Sequence, residues 1–335
     1  MQNIIENSIE SLDEIRRLMA SDLSAIDQLI QQELFSSVPL TREITQHIFK
    51  RKGKRLRPLV IILAAHALKK NQVALEKRHF ELATVIEFVH TATLLHDDVV
   101  DHSEQRRGQR TANAIWGNLA SVLVGDFLYS RAFQILARHH HVEIMRVLSE
   151  ATNAIAEGEV MQLMNQHDAL LSEENYFKVI TQKTAKLFSA ATEIGAILQN
   201  AAPAEQCAMA TYGLHLGIAF QITDDLLDYQ ADSNLTGKNI GDDLSEGKIT
   251  LPLIYAMQQA SQHDAKLIQK AIQTADISLL SEVIAILNNT NALSDTKNKA
   301  VQHANIASDA LKNIPESAYR DALQKLVLFS ANRNY

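Results

Sequence analysis

Residues 80–101 read FELATVIEFVHTATLLHDDVVD. Seventeen residues of mixed apolar and small character end abruptly in Asp97-Asp98, with Asp101 one turn further on. The run is too long for a strand, holds no glycine or proline, and suits a long helix buried on most of its circumference. Its last turn is the anomaly. On a helix, positions i and i+4 share a face, so Asp97 stands over Asp101. Like charges there repel, and aspartate is a mediocre helix former. The flanking Leu94, Leu95, Val99 and Val100 leave the acids little water to screen them.

Outward from this segment, helical spacing dominates. Apolar residues from Ile4 to Leu34 recur mostly at three- and four-residue steps, predicting one or two amphipathic helices that pack residues 1–40 on the body of the protein. Ser36 to Pro39 breaks the pattern, and Thr41 can cap the next helix. The stretch after Pro58 (Leu59 to Ala65) is apolar nearly all round and predicts a deeply buried helix. A loop at 102–117 follows the acidic run. Beyond it, helices are expected at 118–138, 143–167, 173–199 and 204–230, then near 251–260, 264–287 and 296–329, with 231–248 a polar loop. Glycine (11) and proline (5) are too scarce for an architecture of many short strands, each needing its own turn. The expectation is an all-α fold: one domain over residues 1–335.

The net charge of −7 argues against a general nucleic-acid binder. The single cysteine, Cys207, leaves no internal disulfide and points to a reducing compartment. The N-terminal segment, MQNIIENSIESLDEIRR, has no basic region followed by an apolar stretch, and the longest apolar run, Pro58 to Leu68, is too short to span a bilayer. A cytoplasmic protein without a transmembrane segment is expected.

A second acidic segment repeats the first. Asp224-Asp225-Leu226-Leu227-Asp228 again places carboxylates at i, i+1 and i+4 at the end of an apolar helix. A hard cation resolves the repulsion in both, and Mg²⁺ suits a site that shares one or two carboxylates with a phosphate. Bases supply the other half of the argument. Arg106-Arg107-Gly108 follows the first motif, and residues 50–58 (KRKGKRLRP) carry six bases in nine positions. Lys183-Thr184, Lys238 and Lys248 lie further on. The 50–58 run lacks the interleaved aromatics of a nucleic-acid patch. Bases around two carboxylate–metal clusters point to a diphosphate, which arginine grips as a fork and lysine as a point charge.

These motifs resemble those of the trans-prenyltransferases, the isoprenyl diphosphate synthases. Asp97 to Asp101 with Arg106-Arg107-Gly108 is similar to the family's first aspartate-rich motif, and Phe220 to Asp228 to its second. Gly53-Lys54-Arg55-Leu56-Arg57-Pro58 resembles its isopentenyl diphosphate loop, and Lys183-Thr184 and Gly247-Lys248 its phosphate-binding lysines. The likeness runs from about residue 40 to 260. It implies antiparallel helices around a deep central cavity, the isoprenoid synthase-like fold, and a homodimer. Carried over, Asp97, Asp101 and Asp224 bind roughly two or three Mg²⁺ ions, with Asp98, Asp225 and Asp228 in support. Arg106, Lys183, Gln221 and Lys238, with Lys248 nearby, meet an allylic diphosphate. Lys54, Arg57, His90 and Arg107 hold isopentenyl diphosphate, and Thr184 lies between the two sites. The implied role is extension of a primer, farnesyl diphosphate, to a product near C40 for a quinone side chain, handed on to membrane enzymes.

Product length has its own signal. Val89, Ala92 and Thr93 precede Asp97 on its helix and are small or modest, which predicts an open path for a growing chain. Each isoprene unit occupies about one helical turn, ~5.4 Å. A long chain must therefore be stopped deeper, and Phe133, Leu136 and Leu148 are candidates for that floor; each also suits an ordinary core position. His90 reads equally as a satisfied core histidine. His139-His140-His141 cannot share one helix face and is expected in an exposed loop. Three rivals remain. A terpene cyclase would replace the second acidic motif. A di-iron bundle would use Glu-x-x-His, present at Glu76/His79 and Glu87/His90, but on well-separated helices. A non-catalytic partner subunit would have lost acids or bases that are all present.

Overall fold

The structure is a computed structural model and describes residues 12–50, 53, 55–69, 75–106, 108–230 and 240–333. Its helices are α1 (Ala20–Glu33), α2 (Pro39–Lys50), α3 (Leu56–Ala67), α4 (Lys77–Val100), α5 (Ala112–Trp116), α6 (Asn118–Arg138), α7 (Val142–Met164), α8 (Glu173–Ile180), α9 (Lys186–Leu198), α10 (Pro203–Gln230), α11 (Asp242–Ser245), α12 (Leu251–Gln259), α13 (Gln262–Thr274), α14 (Leu280–Asn289), α15 (Ala292–Ala310) and α16 (Ala318–Asn332). Between α4 and α5, β1 (Gln105–Arg106) and β2 (Gln109–Arg110) form a short antiparallel hairpin. The all-α expectation holds apart from this ribbon.

Apolar patterning explains where the helices sit. In α3, Leu56, Pro58 to Ala65 and Ala67 are buried, as an all-round apolar helix requires. α1 packs Ile26, Leu29 and Ile30 inward against α3 and α4. There are two cores, and α10 belongs to both: Met209, Tyr212, Leu216 and Ala219 enter one, Ile218, Ile222 and Tyr229 the other. The second acidic motif therefore lies on the helix that joins them.

Several expectations about elements need correction. The loop expected at 102–117 carries the hairpin and α5. Thr41 caps nothing, because α2 already begins at Pro39, where the missing N–H costs no bond. The helix expected at 264–287 is two: Ala275 takes a left-handed φ of 49°, and the Asp276 side chain accepts from Ser278 N. The helix expected at 296–329 breaks between α15 and α16. Pro315 disfavours continuation there, and Ser317 caps α16 by accepting from Arg320 N at 3.1 Å. The helix expected at 173–199 is interrupted by a π-helical turn, Thr181–Ala185, which sits in the candidate site. Of the polar loop expected at 231–248, residues 231–239 lie outside the described residues and Asp242–Ser245 is helical.

α10 touches α9 so closely that one position tolerates no side chain. A β-carbon on Gly213 would stand 2.4 Å from the Phe188 carbonyl oxygen and 2.3 Å from Thr192 Oγ1. Alanine normally gains about 1 kcal/mol over glycine inside a helix. Here overpacking overrides that gain, and Gly213→Ala loses about 1–3 kcal/mol in urea denaturation. A variant more stable than the parent would contradict this packing.

α10 also pairs with α15 through two half-buried histidines. The ring nitrogens Nδ1 of His215 and His303 lie 2.8 Å apart, and His303 stacks on Phe177. Burial, with repulsion from His215 and Lys299, pushes His303 down to about 4. Its folded pKa lies below its unfolded value, so the unfolded chain takes up the proton first as the solution is acidified. The contribution is intact above about pH 6.5 and lost as pH falls through about 4. After discounting for partial exposure it amounts to about 1–2 kcal/mol. His303→Phe should flatten the fall of the urea midpoint between pH 7 and 4.5; an unchanged slope would exclude the pair as its source.

Candidate active site

The first acidic motif forms the last turn of α4. Asp98 points inward, 4% exposed, and accepts from Arg106 Nε of the hairpin at 2.8 Å, while Asn113 Nδ2 donates to its main-chain carbonyl. Burial raises its carboxyl above the usual range despite the guanidinium. Asp97 and Asp101 face the other way. Lys183 Nζ lies 3.7 Å from Asp97 Oδ2, and Lys248 Nζ donates to Asp101 Oδ2 at 2.9 Å.

The second motif divides similarly. Asp225 is buried and accepts from Tyr176 Oη at 2.6 Å and Gln221 Nε2 at 2.8 Å. Burial, reinforced by Asp243, holds its carboxyl well above the ordinary range. Asp228, also buried, accepts from Asp243 N at 3.2 Å. Asp224 is 32% exposed and takes Arg333 NH2 on Oδ1 at 2.8 Å. The motifs are bridged: Lys248, on Asp101, donates its backbone N–H to Asp243 O at 2.9 Å. Burial alone would lower the Lys248 ammonium, but Asp101, Asp243 and Glu246 outweigh it and raise its pKa.

The π-helical turn explains how Lys183 and Thr184 reach this bridge. π-bulges re-aim side chains inside otherwise regular helices and are frequent at functional sites. Here Lys183 lies between Glu159 Oε2 at 2.6 Å and Asp97, while Thr184 donates to Gln221 Oε1 at 2.9 Å. α7 carries glycine opposite the bulge, since a β-carbon on Gly158 would stand 2.6 Å from Lys183 N. Burial and the Asp97 charge push the Glu159 carboxyl well up.

A cleft beside the first motif is lined by Gly53, Arg55, Arg57, Glu87, His90 and Arg106. Arg57 NH1 meets His90 Nε2 at 3.0 Å and its guanidinium lies over the Phe188 ring at 4.4 Å. The Glu-x-x-His spacings are therefore spoken for: Glu87 pairs with Arg55, and Glu76 and His79 cap the start of α4. Lys54, Arg107 and Lys238 lie outside the described residues. Four residues around the site were not singled out in the sequence: Glu159, Tyr176, Glu87 as a partner of arginine, and Arg333. Arg333 is 4% exposed, donates to Phe220 O at 2.8 Å and lies over that ring at 3.7 Å.

The donor chemistry fits Mg²⁺ shared with a diphosphate. Among the described residues, no three acidic or histidine side chains converge closely enough to cage an ion alone. Mg²⁺ needs no such cage, since it keeps waters and takes one or two carboxylates plus phosphate oxygens. Asp97, Asp101 and Asp224 are the residues that would hold it, Asp101 and Asp224 from their pairings with Lys248 and Arg333; Asp98, Asp225 and Asp228 are buried, each with an oxygen bonded inside the protein.

Below Asp97, Val89 and Ala92 are fully buried, while Thr93 is partly exposed and donates to His90 O at 2.8 Å. Leu136 and Leu148 are buried in the larger core. Phe133, by contrast, is 36% exposed. The three histidines diverge: His139 lies 3.2 Å from Glu81, and His141 caps α7. Cys207 is exposed. α6 is long and apolar enough to cross a membrane by length and composition, yet its other face packs along α4.

Known proteins share this architecture over its whole length. An octaprenyl diphosphate synthase from Haemophilus influenzae is 45% identical over 331 residues, covering 98% of this chain and 99% of its own. A geranyl-diphosphate-specific all-trans-nonaprenyl-diphosphate synthase from Rhodobacter capsulatus is 43% identical, covering 97% and 99%. A polyprenyl synthase from Caulobacter crescentus, solved with calcium and isoprenyl diphosphate, superposes with a TM-score of 0.91 at 39% identity, covering 97% and 98%. The polyprenyl synthetase family model matches residues 38–287, a span that holds both acidic motifs, the basic loop and the π-helical turn. The chain belongs to the polyprenyl synthetase family.

Proposed function

We propose that this protein is a long-chain trans-polyprenyl diphosphate synthase that adds isopentenyl diphosphate repeatedly to an allylic primer, farnesyl diphosphate, to reach about C40. The observation that carries the reading is the pair of acidic motifs, each with buried acids tied into the protein and less buried acids facing Lys183, Lys248 and Arg333. A C45 product is the second reading, favoured by the likeness to the nonaprenyl synthase.

Bound Mg²⁺ would neutralise the diphosphate leaving group at Asp97, Asp101 and Asp224. Lys183 and Lys248, already beside those acids, add fixed positive charge where negative charge accumulates. Gln221, held by Thr184 and donating to Asp225, is positioned toward the same diphosphate. Arg57 and His90 present isopentenyl diphosphate from the neighbouring cleft, so that its double bond attacks the allylic cation left when the carbon–oxygen bond to the diphosphate breaks. The proton then leaves to the departing pyrophosphate, and no protein nucleophile is required. Exclusion of water protects the allylic cation.

A homodimer in the cytoplasm completes the reading. Leu119 and Leu123 are exposed on the outer face of α6, a surface that a second copy would bury. The product would supply a quinone side chain to membrane enzymes. The test is product sizing: purified protein with farnesyl diphosphate, labelled isopentenyl diphosphate and Mg²⁺ yields a dominant band near C40 that disappears with chelator. Products that stop at C20 would overturn the long-chain assignment, and no elongation with any divalent metal would leave the partner-subunit reading.

A further inference from the structure

Among the bases of residues 50–58, Arg55 behaves unlike a phosphate ligand. It stands at the N-terminal boundary of α3 with φ 51° and ψ 35°, a left-handed conformation that is strained for a residue with a β-carbon. Its guanidinium is engaged within the protein. It pairs with Glu87 of α4, lies 3.6 Å from Asp27 of α1 and sits over the Phe49 ring of α2 at 5.4 Å. One side chain thus ties three helices to the start of a fourth.

Glu87 is the other half of the puzzle. It is 7% exposed and lines the same cleft as Arg57, His90 and Arg106. A bare carboxylate there would repel a diphosphate. Paired with Arg55, it is neutralised and becomes an anchor one helical turn from His90, which itself meets Arg57. The two contacts run in parallel: Glu87 to Arg55 and His90 to Arg57, from one face of α4 to alternate residues at the start of α3.

We infer that Arg55 and Glu87 form a clamp, steadied by Asp27, that sets the start of α3 against α4 and so positions Arg57 for isopentenyl diphosphate. Both are positioning residues for that substrate, and Arg55 is not among its ligands. The inference rests on the proposed substrate of this cleft.

Steady-state kinetics on Glu87→Gln, Arg55→Met and the double variant Arg55→Met/Glu87→Leu separate the possibilities. The clamp predicts a KM for isopentenyl diphosphate raised about tenfold in all three, with the KM for farnesyl diphosphate within about twofold of the parent. Removing one partner of a buried ion pair is strongly destabilising, whereas replacing both by apolar groups is tolerated. The double variant should therefore recover most of the Tm lost by either single variant while keeping the raised KM, and it carries the test if the single variants fold poorly. Recovery of KM along with Tm would show a merely structural pair and overturn the inference. If Arg55 were a ligand, Glu87→Gln would free it and lower the KM, which also overturns it. Calorimetric binding of isopentenyl diphosphate keeps the readings apart. A parent protein that binds it without elongating defeats the synthase proposal yet still tests the clamp; one that binds none defeats both.

Discussion

Asp97→Ala is expected to lower turnover by at least about 10³-fold, equivalent to about 4 kcal/mol of transition-state stabilisation, with the fold intact. Three features set this apart from an ordinary surface substitution. Asp97 shares a helix face with Asp101, so the two present oxygens in one direction at the mouth of the site. Its carboxylate faces Lys183 rather than a buried donor that would consume it, at 3.7 Å. Its loss also relieves repulsion from Asp101 and from Glu159, so thermal stability should hold or rise. Asp98→Ala is the control of opposite character: it strips Arg106 of a buried partner and should cost stability as well as activity. The checks are turnover at saturating substrates, a Mg²⁺ titration and a melting curve. Turnover within tenfold of the parent at ordinary Mg²⁺ would remove Asp97 from the ligand set and take the metal assignment of the first motif with it.

The acidic motifs were legible because they violate local rules. Carboxylates stacked at i and i+4 among leucines and valines have no structural reason to exist, so their chemistry shows through. The deep burial of α3 was legible for the converse reason: an unbroken apolar circumference leaves no other place for it. What stayed hidden depends on geometry that no spacing encodes. Family likeness alone places His90 beside Arg57, and Glu87 enters only through the rejected Glu-x-x-His spacing, yet each meets an arginine at the start of α3 more than thirty residues earlier. Arg333 reaches Asp224 only because α16 ends beside α10; in SANRNY nothing marks it. The π-helical turn at Thr181–Ala185 has the composition of a regular helix, and the residue it packs closely against, Gly158, lies on a different element. Both C-terminal helix breaks were missed, although one carries a sequence sign. Pro315 announces one of them, whereas Ala275 in a left-handed conformation carries no compositional sign.

Thr93→Phe is expected to shorten the product from about C40 to about C20 while sparing the first condensation. Val89, Thr93 and Asp97 stand at four-residue intervals, so they form one stripe of α4 running down from the acidic mouth. A chain that begins at the diphosphate must pass along that stripe, and each unit joined at the diphosphate end pushes the tail about one helical turn, ~5.4 Å, further along it, so a ring at position 93 crowds the chain as it lengthens. Ala92 would be the poorer place for an aromatic ring. It is fully buried, and a phenyl group there would overpack the core at about 1–3 kcal/mol or more, confusing instability with product control. Thr93 is only partly buried, and its hydroxyl bonds to its own helix at His90 O, so the ring replaces a group on which no other element depends. The first addition to the primer should proceed with nearly normal kcat, because Asp97, Lys183 and the Arg57–His90 contact stay in place. Later additions should stall as the tail meets the ring. Sizing the dephosphorylated products decides the matter. An unchanged C40 band would mean that the growing chain leaves the mouth along another wall, and the stripe beneath Asp97 would then be packing alone.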